Sequence, residues 1–162
     1  MENLDPNGLP DHAQILHMTE LLSRSGYRVI RPLEIRMAYC TEQPPAKLIT
    51  VAILDTETTG INHSQDKIIE LGMVLVEVCP LTGQAYRVLK VFNELEDPGI
   101  PIPEESTRVH HITDEMVAGK RINDAEVESL LADVSLVVAH NAGFDRVFVE
   151  SRFPIFATKA WA

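Results

Sequence analysis

Apolar and polar residues are patterned as three consecutive strands between residues 48 and 95. The run Leu48–Ile53 is apolar and β-branched, which predicts a buried strand, and it leads into the acidic string 54–60. A second strand is predicted over Ile68–Val78 and a third over Tyr86–Leu95, and the short loops between them favour antiparallel hairpins. In the second strand, alternation places four side chains on one face: Ile69, Leu71, Met73 and Leu75.

Beyond residue 96 the pattern predicts helices around one further strand. The proline-rich stretch Asp97–Pro103 is excluded from a helix or a central strand, and a short helix is expected after Thr113. Asn123 with Glu126 predicts a capped helix, and Ser135–His140 is typical of a buried strand. The inward-facing helical positions are Val127, Leu130 and Leu131 before this strand, and Phe144, Val147 and Phe148 in a helix capped by Asn141 after it.

Residues 1–46 are predicted to be an extension and linker, and residues 47–162 the main domain. Asp11 with Gln14 resembles a capping box, and the helix that follows is expected to end near Ser25–Gly26. Its apolar face is formed by Ile15, Met18, Leu21 and Leu22.

The extension is also the most basic part of the chain. A short strand is predicted over Tyr27–Arg31, and Thr41–Lys47 is interpreted as a linker. Two interpretations of the basic residues remain open: a nucleic-acid arm, or solvated faces of a small extension. The second is favoured because the arginines alternate with core candidates: Arg24, Arg28, Arg31 and Arg36.

Composition limits the function classes. The chain has 162 residues and a net charge of −10, which argues against a protein that coats nucleic acid with a broad basic surface. The net charge remains compatible with an enzyme that binds the end of one nucleic-acid strand through metal ions. No apolar run is long enough to span a membrane, the acidic N-terminus lacks a signal-peptide core, and only two cysteines occur. A cytoplasmic protein with reduced cysteines is expected.

The acidic string Asp55-Thr56-Glu57-Thr58-Thr59-Gly60 is the strongest chemical signal. Side chains alternate along a strand, so Asp55 and Glu57 point to the same face, where they repel each other. A divalent cation relieves this repulsion, because hard cations take oxygen ligands. Gly60 then allows a ligand to approach the backbone closely.

This string resembles the first motif of the DEDD exonuclease superfamily, which includes the proofreading epsilon subunit of bacterial DNA polymerase III. The string His140-Asn141-Ala142-Gly143-Phe144-Asp145 is similar to the family's second motif, whose carboxylate is Asp145 here. The resemblance implies a ribonuclease H-like α/β fold, a mixed sheet with flanking helices. The competing interpretations are a solvated acidic turn for the first string and an Asn cap followed by a solvent-facing Asp for the second.

The resemblance also implies chemistry. Two divalent cations, Mg²⁺ or Mn²⁺, would be held by Asp55, Glu57 and Asp145, with a further Asp completing the set and a His before it taking a proton from water. His110 in Val109-His110-His111-Ile112 matches a His that touches the terminal nucleotide, although His111 stands where the family often has Gly, which leaves the path of the loop open. The substrate-binding candidates are Thr58, Thr59, Gly60, Ile61, His110 and Asn141.

The third motif of the family is absent from this chain. No His follows His140 and no Asp follows Asp145. The chain is therefore expected to be a C-terminally truncated exonuclease of the His-dependent subclass, with the last strand and helix missing and no activity of its own. The strand 135–140 would then lie at a sheet edge and promote self-association. His140 is expected to be packed or hydrogen-bonded rather than to act as a substitute base.

The sequence thus predicts a metal-dependent 3′→5′ exonuclease that releases nucleoside 5′-monophosphates from a single-stranded DNA 3′ end in proofreading or repair. A DNA polymerase subunit is an expected partner, and no membrane is expected. The alternatives are a non-catalytic pseudo-exonuclease or polymerase-binding module, and an exonuclease acting on RNA.

Overall fold

A computed structural model describes residues 12–28 and 36–162, and the chain divides into two compact units, 1–35 and 36–162. In the first unit, helix α1 spans His12–Arg24, as the apolar spacing predicts. Asp11 of the predicted capping box and most of the predicted strand 27–31 lie outside the described residues.

Among the predicted basic residues of the extension, the side chain of Arg24 is exposed and pairs with Glu20 one turn earlier in α1, as expected of a solvated helix face. Arg31 lies outside the described residues. Within the parts of the chain that the structure describes, no helix is long and apolar enough to cross a membrane.

The second unit is built on one mixed sheet of five strands, in the order β3-β2-β1-β4-β5. Strands β1 and β2 pair antiparallel, as do β2 and β3, whereas β1 and β4 are parallel, as are β4 and β5. The strands are β1 Ile49–Thr58, β2 Ile68–Val78, β3 Ala85–Leu95, β4 Val134–Val138 and β5 Ala160–Trp161. The predicted antiparallel hairpins and mixed α/β architecture are confirmed.

Strand β1 is longer than predicted, and the segment before it also joins the sheet. Strand β1 runs through the acidic string to Thr58, because Asp55–Glu57 continue the ladder with Glu70–Gly72 of β2. Residues 37–40 run alongside β3, with Tyr39 N donating to Tyr86 O and Val88 N to Met37 O. The second compact unit accordingly starts at Arg36 and contains the segment predicted to be a linker.

A fifth strand is present, so the prediction that the last strand is missing is wrong. After Pro154 a 3-10 helix, Pro154–Thr158, redirects the chain, and Leu136 of β4 pairs with Ala160. Phe156 is fully buried, with its ring centroid 5.9 Å from that of Trp161. Burial of these rings brings the segment against β4, so the prediction that β4 is an unpaired edge is also wrong.

Helices of the second unit are α2 Glu104–His110, α3 Asp114–Val117, α4 Asp124–Leu131 and α5 Ala142–Arg152. Helix α2 was not predicted, although Pro103 followed by two glutamates is a helix-start signal. It has no buried residue, so it carries no apolar stripe to reveal it. The predicted cap of α4 is confirmed, since Asn123 accepts hydrogen bonds from the backbone N–H groups of Ala125 and Glu126.

Helix α5 begins after Asn141 as predicted, but the Asn141 side chain makes no capping hydrogen bond. Phe148 is buried and Phe144 half-buried, whereas Val147 is 39% exposed and the unpredicted Val149 is fully buried. The inward face is therefore rotated by about one residue, roughly a quarter of a turn, from the predicted one.

A separate, smaller buried cluster is formed by Ile69, Ile102, Ile112 and Val117, and the larger core cluster lies on one face of the sheet. Strand alternation sends Ala52, Leu54 and Thr56 of β1 to this face, and Ile53, Asp55 and Glu57 to the other. The buried face packs on α4, α5 and the 3-10 helix through Leu71, Met73, Leu75, Phe92, Val127, Leu131, Phe148, Val149 and Phe156. Alternation thus places the two acidic residues on the face away from this core.

Candidate active site

The end of β1 extends beyond its parallel neighbour, and this extension organises the site. Strand β4 ends at Val138, opposite Ile53, which leaves the next backbone N–H groups of β1 without a strand partner on that side. Asp145 in the first turn of α5 takes that place: its Oδ1 accepts hydrogen bonds from Thr56 N at 3.0 Å and Thr56 Oγ1 at 2.7 Å. This contact brings together residues 89 positions apart.

The carboxylates act on one another electrostatically. Burial, followed by the charges of Asp145 and Glu70, raises the pKa of Asp55, and His140 opposes this rise. Burial also raises the pKa of Glu57, followed by the charges of Asp55, Glu70 and Asp145. The predicted carboxylates Asp55, Glu57 and Asp145 therefore lie within electrostatic reach of one another.

Glu70 is a member of this group that the sequence analysis missed. It is the partner of Glu57 in the β1–β2 ladder, and Asn93 Nδ2 of β3 donates a hydrogen bond of 2.9 Å to its Oε1. The available signal was a single acidic residue within the apolar run 68–76. Whether this glutamate lies opposite Glu57 depends on the hairpin register, which a strand prediction does not specify.

The donor set fits a hard divalent cation. It consists of carboxylate oxygens, and none of the ion pairs formed by the described residues involves Asp55, Glu57, Glu70 or Asp145. Yet no three His, Cys, Asp or Glu side chains in the described ranges are arranged to hold a metal ion as they stand. One oxygen of Asp145 is engaged by Thr56, so a closed ligand shell would require these side chains to move.

A cleft of about 390 Å³ lies next to Glu57, on the side of helix α2. Four predicted substrate-binding residues, Thr58, Gly60, Ile61 and His110, line it. Ile61 is 87% exposed, so most of its apolar side chain is accessible to a ligand in the cleft. Further lining residues that the sequence analysis did not select are Thr56, Glu105, Ser106, Val109 and Phe144.

Thr59 has a structural position instead. It is buried, its Oγ1 donates to Asp66 Oδ1 at 2.9 Å, and Lys67 N donates to Thr59 Oγ1 at 3.1 Å. Asp66 also accepts a bond from Asn62 N at 2.8 Å. A Cβ atom on Gly60 would lie 2.5 Å from Asp66 Oδ2, so the group that approaches this glycine in the fold is the Asp66 carboxylate.

His110 is fixed at the end of α2. Its Nδ1 accepts a hydrogen bond from Ile112 N at 3.0 Å, which leaves the proton of the neutral ring on Nε2. Nε2 is the one buried side-chain polar atom of the described residues without a hydrogen-bond partner. Burial is the main cause that lowers the pKa of His110, so the neutral ring is favoured.

His111 follows in the left-handed conformation, with φ 63° and ψ 14°, as the C-cap of α2. The residue that departs from the family's glycine therefore adopts the backbone conformation that glycine favours. The chain therefore turns through a left-handed residue at His111, which the sequence alone left undetermined.

The remaining two predicted positions lie outside the cleft lining. Asn141 is exposed at the start of α5. His140 was predicted to be packed or hydrogen-bonded, and the packed alternative is wrong: its side chain is exposed, because β4 ends two residues earlier. His140 nonetheless acts on Asp55, as the one group that lowers the pKa of that carboxyl.

Comparison with known proteins is consistent with this geometry. The exonuclease family model RNase_T matches residues 52–160. A DNA polymerase III PolC-type protein of Lacticaseibacillus paracasei is 29% identical over 88% of this chain and 10% of its own length. A DNA polymerase III subunit epsilon-like protein of Rhodobacter capsulatus is 31% identical over 86% of this chain and 18% of its own. The chain thus spans less than a fifth of these relatives.

Among solved structures, E. coli exonuclease I in complex with a dA16 oligonucleotide matches 70% of this chain and 27% of its own, with a TM-score of 0.53 and 15% identity. The mixed sheet with flanking helices is the ribonuclease H-like fold seen in exonuclease I structures. At 15% identity this structural similarity shows a shared fold and nothing further.

Proposed function

This chain belongs to the RNase_T exonuclease family, and from this we propose that its second unit is a metal-dependent 3′→5′ exonuclease domain that releases nucleoside 5′-monophosphates. The observation that carries the proposal is the bond between Thr56 and Asp145, which joins the first and second motifs at the end of β1. It sets the third carboxylate beside the strand that carries Asp55 and Glu57.

Asp55, Glu57 and Asp145 would hold divalent cations, Mg²⁺ or Mn²⁺. When bound, such cations activate a water and stabilise the leaving oxygen of a phosphodiester. Asp55 and Glu57 share one face of β1, so they would present their oxygens to the same volume. Asp145 keeps Oδ2 for this purpose, because both Thr56 bonds use Oδ1.

The cleft beside Glu57 would take the terminal nucleotide. Ile61 and Val109 are strongly exposed apolar side chains on its lining, which suits contact with the flat face of a base. The His110 Nε2–H group would donate a hydrogen bond to an oxygen of the sugar or phosphate. These residues would position the strand end while the carboxylates act on its scissile bond.

DNA is the favoured substrate, with proofreading or repair as the role and a DNA polymerase subunit as a partner. The support is the PolC-type and epsilon-like relatives, whose names place them with DNA polymerase III. Single-stranded DNA suits the cleft because a stacked apolar contact at Ile61 requires an unpaired terminal base.

A second candidate is a non-catalytic module that binds a strand end or a polymerase. It is favoured by the arrangement of the carboxylates, since no three His, Cys, Asp or Glu side chains of the described residues are placed to hold a metal ion.

The two candidates are separated by incubating the 162-residue chain with 5′-labelled single-stranded DNA or RNA and Mg²⁺ or Mn²⁺. Stepwise shortening that Asp55→Asn abolishes supports the exonuclease, and the digested polymer identifies the substrate. The matched control is Asp133→Asn, which removes an exposed carboxylate near the start of β4 and should retain the parent activity. Strand binding without shortening under every metal favours the second candidate.

A further inference from the structure

Glu70 has no role in the three-carboxylate centre, yet it lies directly opposite one of its members. Glu57 and Glu70 are partners in the antiparallel β1–β2 ladder, so their side chains leave the same face of the sheet with Cβ atoms about 4.5–5.5 Å apart. Like charges directly opposite each other destabilise a sheet. None of the ion pairs among the described residues compensates either glutamate.

The Glu70 side chain is held in place from the third strand. Asn93 Nδ2 donates to Glu70 Oε1 at 2.9 Å. Asn93 is the ladder partner of Gly72, and a Cβ atom at residue 72 would lie 3.2 Å from Asn93 Oδ1. The missing side chain at Gly72 therefore leaves room for the Asn93 amide to lie across β2. The Asn93 bond occupies Oε1 and leaves Oε2 for another group.

We propose that Glu70 is an additional cation-binding carboxylate of this centre, held for that purpose by Asn93. The inference rests on the proposed function, because the cation is the one that Asp55, Glu57 and Asp145 would hold. Mg²⁺ takes roughly six oxygen ligands and keeps several waters, so a further carboxylate can bind either the ion or a water on it.

The placement of Glu70 suits this role because its charge reaches both carboxylates of the first motif. It acts on Asp55 and on Glu57. Without a cation, Glu70 adds to the repulsion within the group. A bound divalent cation converts that repulsion into attraction, so removal of the Glu70 charge has opposite effects on the cation-free and cation-bound protein.

The test is titration calorimetry of the 162-residue chain with Mn²⁺ alone, on the parent and on Glu70→Gln. The amide keeps the size of the side chain and an oxygen for Asn93, and the expected loss of Mn²⁺ affinity is about 10–100-fold. Asn93→Ala, which keeps the Glu70 charge and removes its support, should lower the affinity by a smaller factor. Glu94→Gln is the matched control, because Glu94 is exposed and alternates to the opposite face of the neighbouring strand.

Thermal unfolding supplies a second measurement. In EDTA the melting temperature of Glu70→Gln should exceed that of the parent, because one repelling charge is gone, and the stabilisation by Mn²⁺ should shrink. A purely structural Glu70 would lower the melting temperature of the cation-free protein instead, which would contradict the proposal.

The outcomes distinguish the two levels of inference. If Asp55→Asn abolishes Mn²⁺ binding while Glu70→Gln retains the parent affinity, the role of Glu70 is refuted and the proposed centre stands. Equal losses in Glu70→Gln and Glu94→Gln also refute it, because net charge alone would then explain them. If the parent and Asp55→Asn bind Mn²⁺ equally, the proposed centre itself is refuted.

Discussion

Gly60 is required by packing within the first motif. Its place opposite the Asp66 carboxylate allows Asp66 to bond both Thr59 Oγ1 and Asn62 N. A methyl group at residue 60 would displace that carboxylate and break both bonds.

Gly60→Ala should therefore lower the free energy of unfolding by about 1–3 kcal/mol, the cost of overpacking and of lost hydrogen bonds. Gly143→Ala is the control, because an added Cβ in α5 would meet no atom within 4 Å, and it should be neutral or stabilising by up to about 1 kcal/mol. Urea unfolding of both variants provides the comparison. Equal effects would show that Asp66 does not constrain residue 60.

His111 is strained by its positive φ of 63°. Such a conformation costs an ordinary residue about 1–2 kcal/mol. His111→Gly should consequently raise the free energy of unfolding by about 1 kcal/mol. Gly83→Ala, at φ 72° with open space around it, should change stability in the opposite direction by a similar amount. A destabilised His111→Gly variant would indicate that the His111 side chain makes a compensating contact.

At the scale of elements, the bond between β1 and α5 holds the proposed centre together. Thr56 and Asp145 are both buried, and the bond joins the neutral hydroxyl to a charged group at 2.7 Å. A buried hydrogen bond of this kind stabilises a fold by about 1.5–3 kcal/mol.

Thr56→Val removes the hydroxyl and keeps the β-branched shape, so it should lower the free energy of unfolding by about that amount. Thr50→Val in the same strand is the control, since Thr50 is half-buried and far from Asp145. Matching urea midpoints for the two variants would mean that Asp145 is held by the Thr56 N–H alone.

For the molecule as a whole, stability in acid depends on carboxylates with shifted pKa values. The pKa values of Asp55 and Glu57 are raised, whereas that of Asp97 is lowered. Asp97 accepts backbone hydrogen bonds from Gly99 N at 2.9 Å and Gly119 N at 2.8 Å, and these bonds lower its pKa from 3.8. Its contribution to stability is present above pH 3.8 and is lost as the pH falls through the folded-state pKa.

Asp97→Asn should therefore reduce stability at neutral pH and approach the parent once the pH is well below 3.8. Asp133→Asn, at an exposed turn, serves as the control for removal of one charge. The measurement is urea unfolding across a pH series. A constant difference between Asp97→Asn and the parent at all pH values would show that the Asp97 bonds do not depend on its ionisation.

The sequence alone determined those features that depend on neighbouring residues in the chain. Strand Ile68–Val78 has the predicted bounds, and the alternation of β1 separates Asp55 and Glu57 from the core. The Asn123 cap is likewise local. Each follows from the strand period or from a hydrogen bond within one turn, so a short window of sequence contains the information.

Tertiary structure alone decided which distant groups meet. Glu70 faces Glu57 because of the hairpin register, and Asp145 reaches Thr56 because β4 ends before β1 does. The short strand β5 forms because Phe156 and Trp161 pack on the core. Register, strand overhang and ring packing are set by interactions across the sheet, and no periodicity within one segment encodes its partner.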